Sequence, residues 1–301
     1  MVDVARGSRL AVTYGMEDTW GDLDTAASVY NLRVTSMGVN LSKDSFQSNE
    51  LRSDRQISDL RHGMFSVSGD IGVELSHTSF DDLIESAMFN EWESGGTITP
   101  GTTMRSLSIQ KAFTDIDQYH VFTGCVVNTW SLNVTPNGII TSTFNIMGET
   151  MGTTQAEWTT SAVAKSTNPP FDSFAGTLSE GGVVNALVTG IDLSITNNIS
   201  ALQAIGNNHA VGLVDGRANI TGSMTAYFAS STLLNKFILE QESSLSFVLG
   251  DGTNTMTFAI PRLKYSGGDV PVSGEGPVIL TMPFQALYSS VSGYSLLITK
   301  S

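Results

Sequence analysis

Only one cysteine, Cys125, occurs in 301 residues. An intrachain disulfide is therefore impossible, and so is a thiolate metal site built within one chain. No stretch approaches the ~18 apolar residues of a spanning helix, and the N-terminus lacks the basic-then-apolar pattern of an export signal. A reducing cytoplasm is the expected birthplace, with no membrane partner. Cations are scarce too: 15 Lys and Arg stand against 29 Asp and Glu, a net charge of −14. Gripping nucleic acid or anionic lipid needs the opposite balance.

The usual signatures of chemistry are missing as well. His62, His77, His120 and His209 are scattered, with no helical HExxH arrangement. There is no GxSxG elbow, Gly-rich phosphate loop or dinucleotide fingerprint. The acidic pairs Asp22 and Asp24, Asp81 and Asp82, and Asp115 and Asp117 have the groups for acid–base work or a hard cation. Each falls instead at a helix start, in a turn or in the N-terminal arm. Gly250-Asp251-Gly252-Thr253-Asn254 reads as a hairpin turn, not a calcium loop. No catalysis, metal or cofactor is expected.

What the chain does have is alternation. Between residues 63 and 76, Phe65, Val67, Ile71, Val73 and Leu75 alternate with small or polar residues, the period-two signature of a half-buried strand. Phe80, Leu83, Ile84, Ala87 and Met88 then form a helical stripe, with Ser79 as the expected cap and Asp81, Asp82 and Glu85 on the wet side. The unit recurs at 216–238: Gly63 matches Gly216 and Gly69 matches Gly222, Ile220, Met224, Ala226 and Phe228 line the inner face, and Leu234, Phe237 and Ile238 repeat the helix. Gly38-Val39-Asn40-Leu41-Ser42 resembles Gly190-Ile191-Asp192-Leu193-Ser194, and the strand 138–148 resembles 276–286. Three matched blocks in one order predict a tandem duplication. Its predicted core is Phe65, Val67, Ile71, Phe80 and Leu83 in the first copy and Ile220, Phe228 and Phe237 in the second.

The predicted organisation is an N-terminal arm (1–31), a first β-rich domain (32–151), a linker (152–182), a second domain (183–288) and a C-terminal tail (289–301). Further strands are predicted over 107–112, 119–134 and 139–147, with Pro136-Asn137-Gly138 as a turn. The linker lacks periodicity and contains Asn168-Pro169-Pro170; extended, it would span tens of ångströms. Polar loops at 43–62 and 196–215 are long for a compact domain, which suits contact with a partner.

Residues 49–92, with Ser68-Gly69-Asp70-Ile71 and Phe80-Asp81-Asp82-Leu83, resemble the tail tube proteins of long-tailed, siphovirus-like bacteriophages. The arm from Leu10 to Gly21, with Glu17, Thr19, Trp20 and Gly21, is similar to that family's N-terminal stretch. The resemblance implies β-sandwich domains with a flanking helix, whose sheets join side by side into a β-barrel ring. Most relatives place six one-domain subunits in a ring, so a duplicated chain needs three, with pseudo-sixfold symmetry. Rings would stack through the two long loops, by way of Phe46, Glu50, Arg52, Asp54, Arg55, Asp59, Arg61 and Asn207. The implied partners are further copies of the chain, the tape-measure protein, the tail terminator and the distal tail protein. Double-stranded DNA would pass without specific binding, and the place of work would be the virion tail, assembled in the host bacterial cytoplasm. The main alternative is another phage or surface β-sandwich displaying loops to a receptor or carbohydrate; an enzyme built on a carboxylate pair ranks third.

Overall fold

Strands account for nearly all regular structure in the computed structural model, which describes residues 4–23, 28–158, 161–173, 177–184, 187–272 and 274–301. The first half contains β1 (Leu10–Met16), β2 (Asn40–Gln47), β3 (Leu60–Glu74), α1 (Asp81–Met88), β4 (Leu107–Phe113), β5 (Gln118–Val134), β6 (Thr141–Gly148) and β7 (Thr150–Thr154). The second contains β8 (Leu178–Glu180), β9 (Val188–Thr196), β10 (Asn219–Tyr227), α2 (Thr232–Ile238), β11 (Glu242–Gly250), β12 (Thr255–Tyr265), β13 (Ile279–Ala286) and β14 (Leu297–Lys300). Short two- and three-residue strands fill gaps between them.

Antiparallel neighbours in the first half run β2-β3-β6-β5, and β5 continues into a second layer with β4, β1 and β7. The second half runs β9-β10-β13-β12, and β12 continues into a layer with β11, β8 and β14. Each half is thus a sandwich in which one long strand serves both layers.

Register matches as well as topology. Gly69 faces Ile146 and Ile71 faces Phe144, while Gly222 faces Phe284 and Met224 faces Met282. Irregularities recur at matching places: β4 slips against β5 between Leu107 and Ile109, and β11 against β12 between Ser243 and Leu245. One block aligns differently from the sequence reading. Asn40 faces Ser68 and Ser194 faces Thr221, so Asn40, not Ser42, is the counterpart of Ser194. A two-residue slide keeps every side chain on its face, so alternation alone cannot detect it.

Gly69 and Gly222 show why the repeated glycines are there. A Cβ at Gly69 would strike the carbonyl of Gly38, and one at Gly222 would strike the carbonyl of Asp192. Gly38 and Asp192 are themselves counterparts, so both copies need the same close approach of backbones. The core follows from the inward faces: Val67, Ile71, Phe80, Leu83 and Ile220 are buried, whereas Phe228 and Phe237 are partly buried against it. Phe65 is also partly exposed, with its ring 5.8 Å from that of His209.

Several expectations change. Ser79 does not cap α1; Phe80 occupies the cap position without a side-chain bond, and Ser79 Oγ accepts from Ser76 Oγ at 2.7 Å. Asp81 and Asp82 are buried rather than wet, because cations from far along the chain reach them. The described residues of 152–182 do not form a free span. Phe171 is fully buried, its N–H donating to Leu75 O at 2.8 Å and its C=O accepting from Ile140 N–H at 3.0 Å. Arg33 Nη1 donates to Asn168 O at 2.7 Å. The two prolines keep the strap extended, and Phe171 anchors it to the first half. The arm and the tail contribute sheet strands, β1 and β14 among them.

Candidate assembly surfaces

The halves are joined by backbone. The distal part of β5 pairs with β9, antiparallel, with Ser131 opposite Ser194, Leu132 opposite Leu193 and Asn133 opposite Asp192. On the buried side Leu132 and Leu193 continue one core across the seam. On the polar side Asn133 Nδ2 donates to Asp192 Oδ1. The bulged residue Asn128 completes the joint, its C=O accepting from Asn197 N–H at 2.8 Å and its Oδ1 from Ile199 N–H at 2.9 Å. Asn197 is buried and donates onward to Ala87 O (2.9 Å) and Val127 O (3.0 Å), fastening the second half to the end of α1.

The loop 196–215 lies back on the first half. Phe65 N–H donates to Asn208 O at 2.9 Å, and His209 Nδ1 sits 3.1 Å from Glu149 Oε1. Burial pushes the Glu149 carboxyl above its ordinary range, and His209 opposes the shift. Phe89, Val126 and Ile199 form a small apolar cluster here with Trp20, Met104, Met147 and Leu213. Asn207 remains exposed near the loop's tip.

The loop 43–62 behaves differently. Its flanks are hairpin strands, with Phe46 opposite Arg61. Phe46 is 62% exposed and Leu51 99%. Glu50, Arg52, Asp54, Arg55, Asp59 and Arg61 are all exposed, and Arg52 pairs with Asp54 and Arg61 with Asp59, each at 2.8 Å. No hydrogen bond or ion pair joins this tip to Asn207 among the described residues.

A clasp in each half gathers remote segments. Asp81 receives Lys300 of β14, and Asp82 receives Lys165 of the strap together with Tyr14 Oη of β1 at 3.1 Å. Burial and the Asp82 charge drive the Tyr14 hydroxyl far above its ordinary pKa, so it donates at any physiological pH. In the second half Glu180 receives Lys236 (2.7 Å), Ser243 Oγ (2.6 Å) and Tyr265 Oη (3.0 Å). These carboxylates are structural anchors. Asp115 accepts from Arg6 N–H at 2.7 Å, Asp251 folds onto its own turn, and Asp24 lies outside the described residues. Among the described residues no three His, Cys, Asp or Glu side chains gather as metal ligands, and no helix is long and apolar enough to cross a membrane.

Residues to which the sequence assigned no physical role do much of the joining. Lys111 is buried, donates to Val39 O and to Asn40 Oδ1 (3.2 Å), and lies 5.4 Å from the centre of the Phe122 ring. Burial lowers its pKa. Glu17 accepts from Gly21 N–H (2.9 Å), Ser108 Oγ (2.6 Å) and Gly124 N–H (2.8 Å), while Trp20 Nε1 donates to Gly124 O at 3.1 Å. Gly124, at φ +64°, is where β5 passes between layers; a Cβ there would press on Glu149 and Trp20.

A family model described as phage tail tube protein matches residues 7–286. No curated protein matches the chain.

Proposed function

The chain belongs to the phage tail tube proteins, structural proteins of the virion tail, and from this premise we propose that three copies close into a ring of six equivalent sheet units. Rings stack into the hollow tube through which DNA leaves during ejection. The observation that carries this reading is the β5–β9 seam. It joins two units of matching topology and register, and the same chain leaves one end of each kind open. Repeating the joint adds units, and closure removes the open edges that would otherwise aggregate.

The tube domains are 32–151 and 183–288, with β1 and β14 contributed by the flanking segments. One face of the continuous sheet is buried under the second layer and the helices. The opposite face carries Ser68, Asp70, Ser131, Asn145, Asp192 and Ser223, and closure turns it inward because the covered face needs room for its second layer. A bore of hydroxyls, amides and carboxylates repels a duplex that carries a charge every ~1.7 Å, so DNA slides without sticking.

The exposed hairpin tip, with Phe46, Glu50, Arg52, Asp54, Arg55, Asp59 and Arg61, contacts the next ring, assisted by the tip near Asn207. Stacking of this kind is open-ended, so the tape-measure protein, tail terminator and distal tail protein set where it starts and stops. Assembly takes place in the host bacterial cytoplasm.

Negative-stain electron microscopy of the concentrated protein, averaged down the rings, tests this reading. Hollow tubes with threefold averages are expected. Dispersed monomers that persist after addition of tail-tip initiator would instead favour a displayed binding protein. Deleting 46–58 should leave the fold intact and stop tube growth; tubes of normal length from that variant would remove the hairpin from stacking.

A further inference from the structure

We infer that subunits join by pairing the run after β12, residues 268–271, with the open edge of β2 in the next copy, in a register that the within-chain seam specifies. The inference rests on the ring reading and deepens it to named residue pairs.

The seam and its expected copy are related by the internal repeat. Ile146 corresponds to Phe284, and the run beyond Tyr265 preserves that relation. Val127 faces Ile146 and Ser131 faces Thr143, with a one-residue bulge between them. Tyr265 faces Phe284 and Asp269 faces Thr281, with the same bulge. Asp269 is therefore the counterpart of Ser131. On the other strand, Asn40 is the counterpart of Ser194. Since Ser131 faces Ser194 within the chain, Asp269 should face Asn40 of the next copy. Val270 then meets Val39, as Leu132 meets Leu193, and Gly268 meets Leu41.

Both edges present the groups that this register needs. Gly38 N–H donates to Asp70 O at 2.7 Å, and Asn40 sits two residues further along, opposite Ser68. Alternation turns the N–H and C=O of Val39 and Leu41 to the outer edge. The Val39 C=O accepts from Lys111, which leaves its second lone pair for a partner. Asp269 and Thr281 exchange two backbone bonds, of 3.0 and 2.9 Å, so Gly268 and Val270 aim theirs away from β13. Pro271 lacks an N–H, but by the same alternation the missing donor falls on the β13 side and costs the new joint nothing.

Side chains agree with the backbone. Asn and Asp already bridge strands on this polar face, Asn133 with Asp192 across the seam and Asn145 Nδ2 with Asp70 Oδ1 at 2.7 Å. Asn40 and Asp269 are both exposed and would make a third such pair. Val39 and Val270 would extend the core side.

Asn40 and Asp269 fall at a non-hydrogen-bonded position, where opposing Cα atoms are ~4.5 Å apart, within reach of a disulfide. The test is therefore a chain carrying Asn40→Cys and Asp269→Cys, assembled, oxidised and run on a denaturing gel without reductant. Cys125 is buried and does not compete. Covalent species of up to three chains and no larger are expected, formed as completely as the internal link in a Ser131→Cys, Ser194→Cys control. The shifted pair Ser42→Cys with Asp269→Cys should stay single. Linking by the shifted pair alone would overturn the register. If neither pair links in protein that forms rings by microscopy, edge pairing is overturned while the ring reading stands. If the internal control links but no variant gives rings or intermolecular links, both fall.

Discussion

The two helices occupy the same place in the same unit, yet one is buried and the other is not. In α1 seven of eight residues are buried, whereas α2 buries none of its seven. Ile84 is 1% exposed and its sequence counterpart Ile238 is 61% exposed. The difference lies in what surrounds them. The 89–105 segment covers α1, with Trp92 Nε1 donating to Asp81 O (3.3 Å) and Ser86 Oγ to Arg105 O (2.7 Å). The second half adds Asn197 at one end and Lys300 at the other. α2 has no comparable insertion after it, and only Leu233 and Phe237 pack partly into the core. Burial of a helix in this fold is set by what covers it, here the insertion that follows α1 together with groups from the other half.

Truncation at the matched positions should break the symmetry most visibly. Ile84→Ala is expected to cost about 2–5 kcal/mol, because a fully buried side chain leaves a cavity. Ile238→Ala should change stability by within about 0.5 kcal/mol in the isolated chain. Urea midpoints of the two variants decide the matter, and equal losses would mean that α2 is as well covered as α1.

Removing the clasp cations comes next, and here exposure alone misleads. Glu180 is the more buried carboxylate, with 6% side-chain exposure against 12% for Asp81. Lys236→Met removes two hydrogen bonds to Glu180 but leaves Ser243 and Tyr265 as donors, so about 2 kcal/mol is expected, within the range for hydrogen bonds to a charged group. Asp81 Oδ1 has no partner. Lys300→Met therefore strands a buried charge, at about 3 kcal/mol. Lys300 also sits 4.2 Å from the centre of the Trp92 ring, a contact that is lost with it. Thermal melts should rank Lys300→Met below Lys236→Met; the reverse order would make burial the deciding quantity.

The same contrast marks how far sequence reaches. Period two located β3, β5 and β6, the 3.6 period located α1, and the paired glycines located the duplication, because each signal sits within a few residues of its cause. Asn137 takes φ +60° in the turn that Pro136-Asn137-Gly138 predicts. Asp81 and Asp82 read as wet because Lys300 and Lys165 are 219 and 83 residues away. The strap read as a free span because Phe171 is one apolar residue without a period. The seam itself was illegible: alternation gives the face of β5 and β9 but not the neighbour on each edge. The phage-tail motifs proved architectural. Glu17 and Trp20 hold the bend at Gly124, Gly69 admits a neighbouring backbone, and Asp81 and Asp82 gather distant cations.

The smallest effect expected is a pH difference between the halves. Glu149 is followed along the repeat to Leu287, so only the first half has a carboxyl at this place. Burial raises the Glu149 pKa when folded, which means that the folded chain holds this proton more tightly than the unfolded one. The sign follows from linkage. At a pH below the ordinary carboxylate range the group is protonated in both states and contributes nothing. As pH rises through the raised value, the folded state bears an ionised, partly desolvated group and loses stability. Glu149→Gln keeps the shape and a hydrogen-bonding group beside His209 but cannot ionise. Its unfolding midpoint should equal that of the unaltered chain near pH 3 and exceed it modestly at pH 8, whereas Leu287→Ala should shift stability equally at both pH values. A Glu149→Gln variant weaker than the parent at pH 8 would show that the contact with His209 outweighs desolvation at the joint.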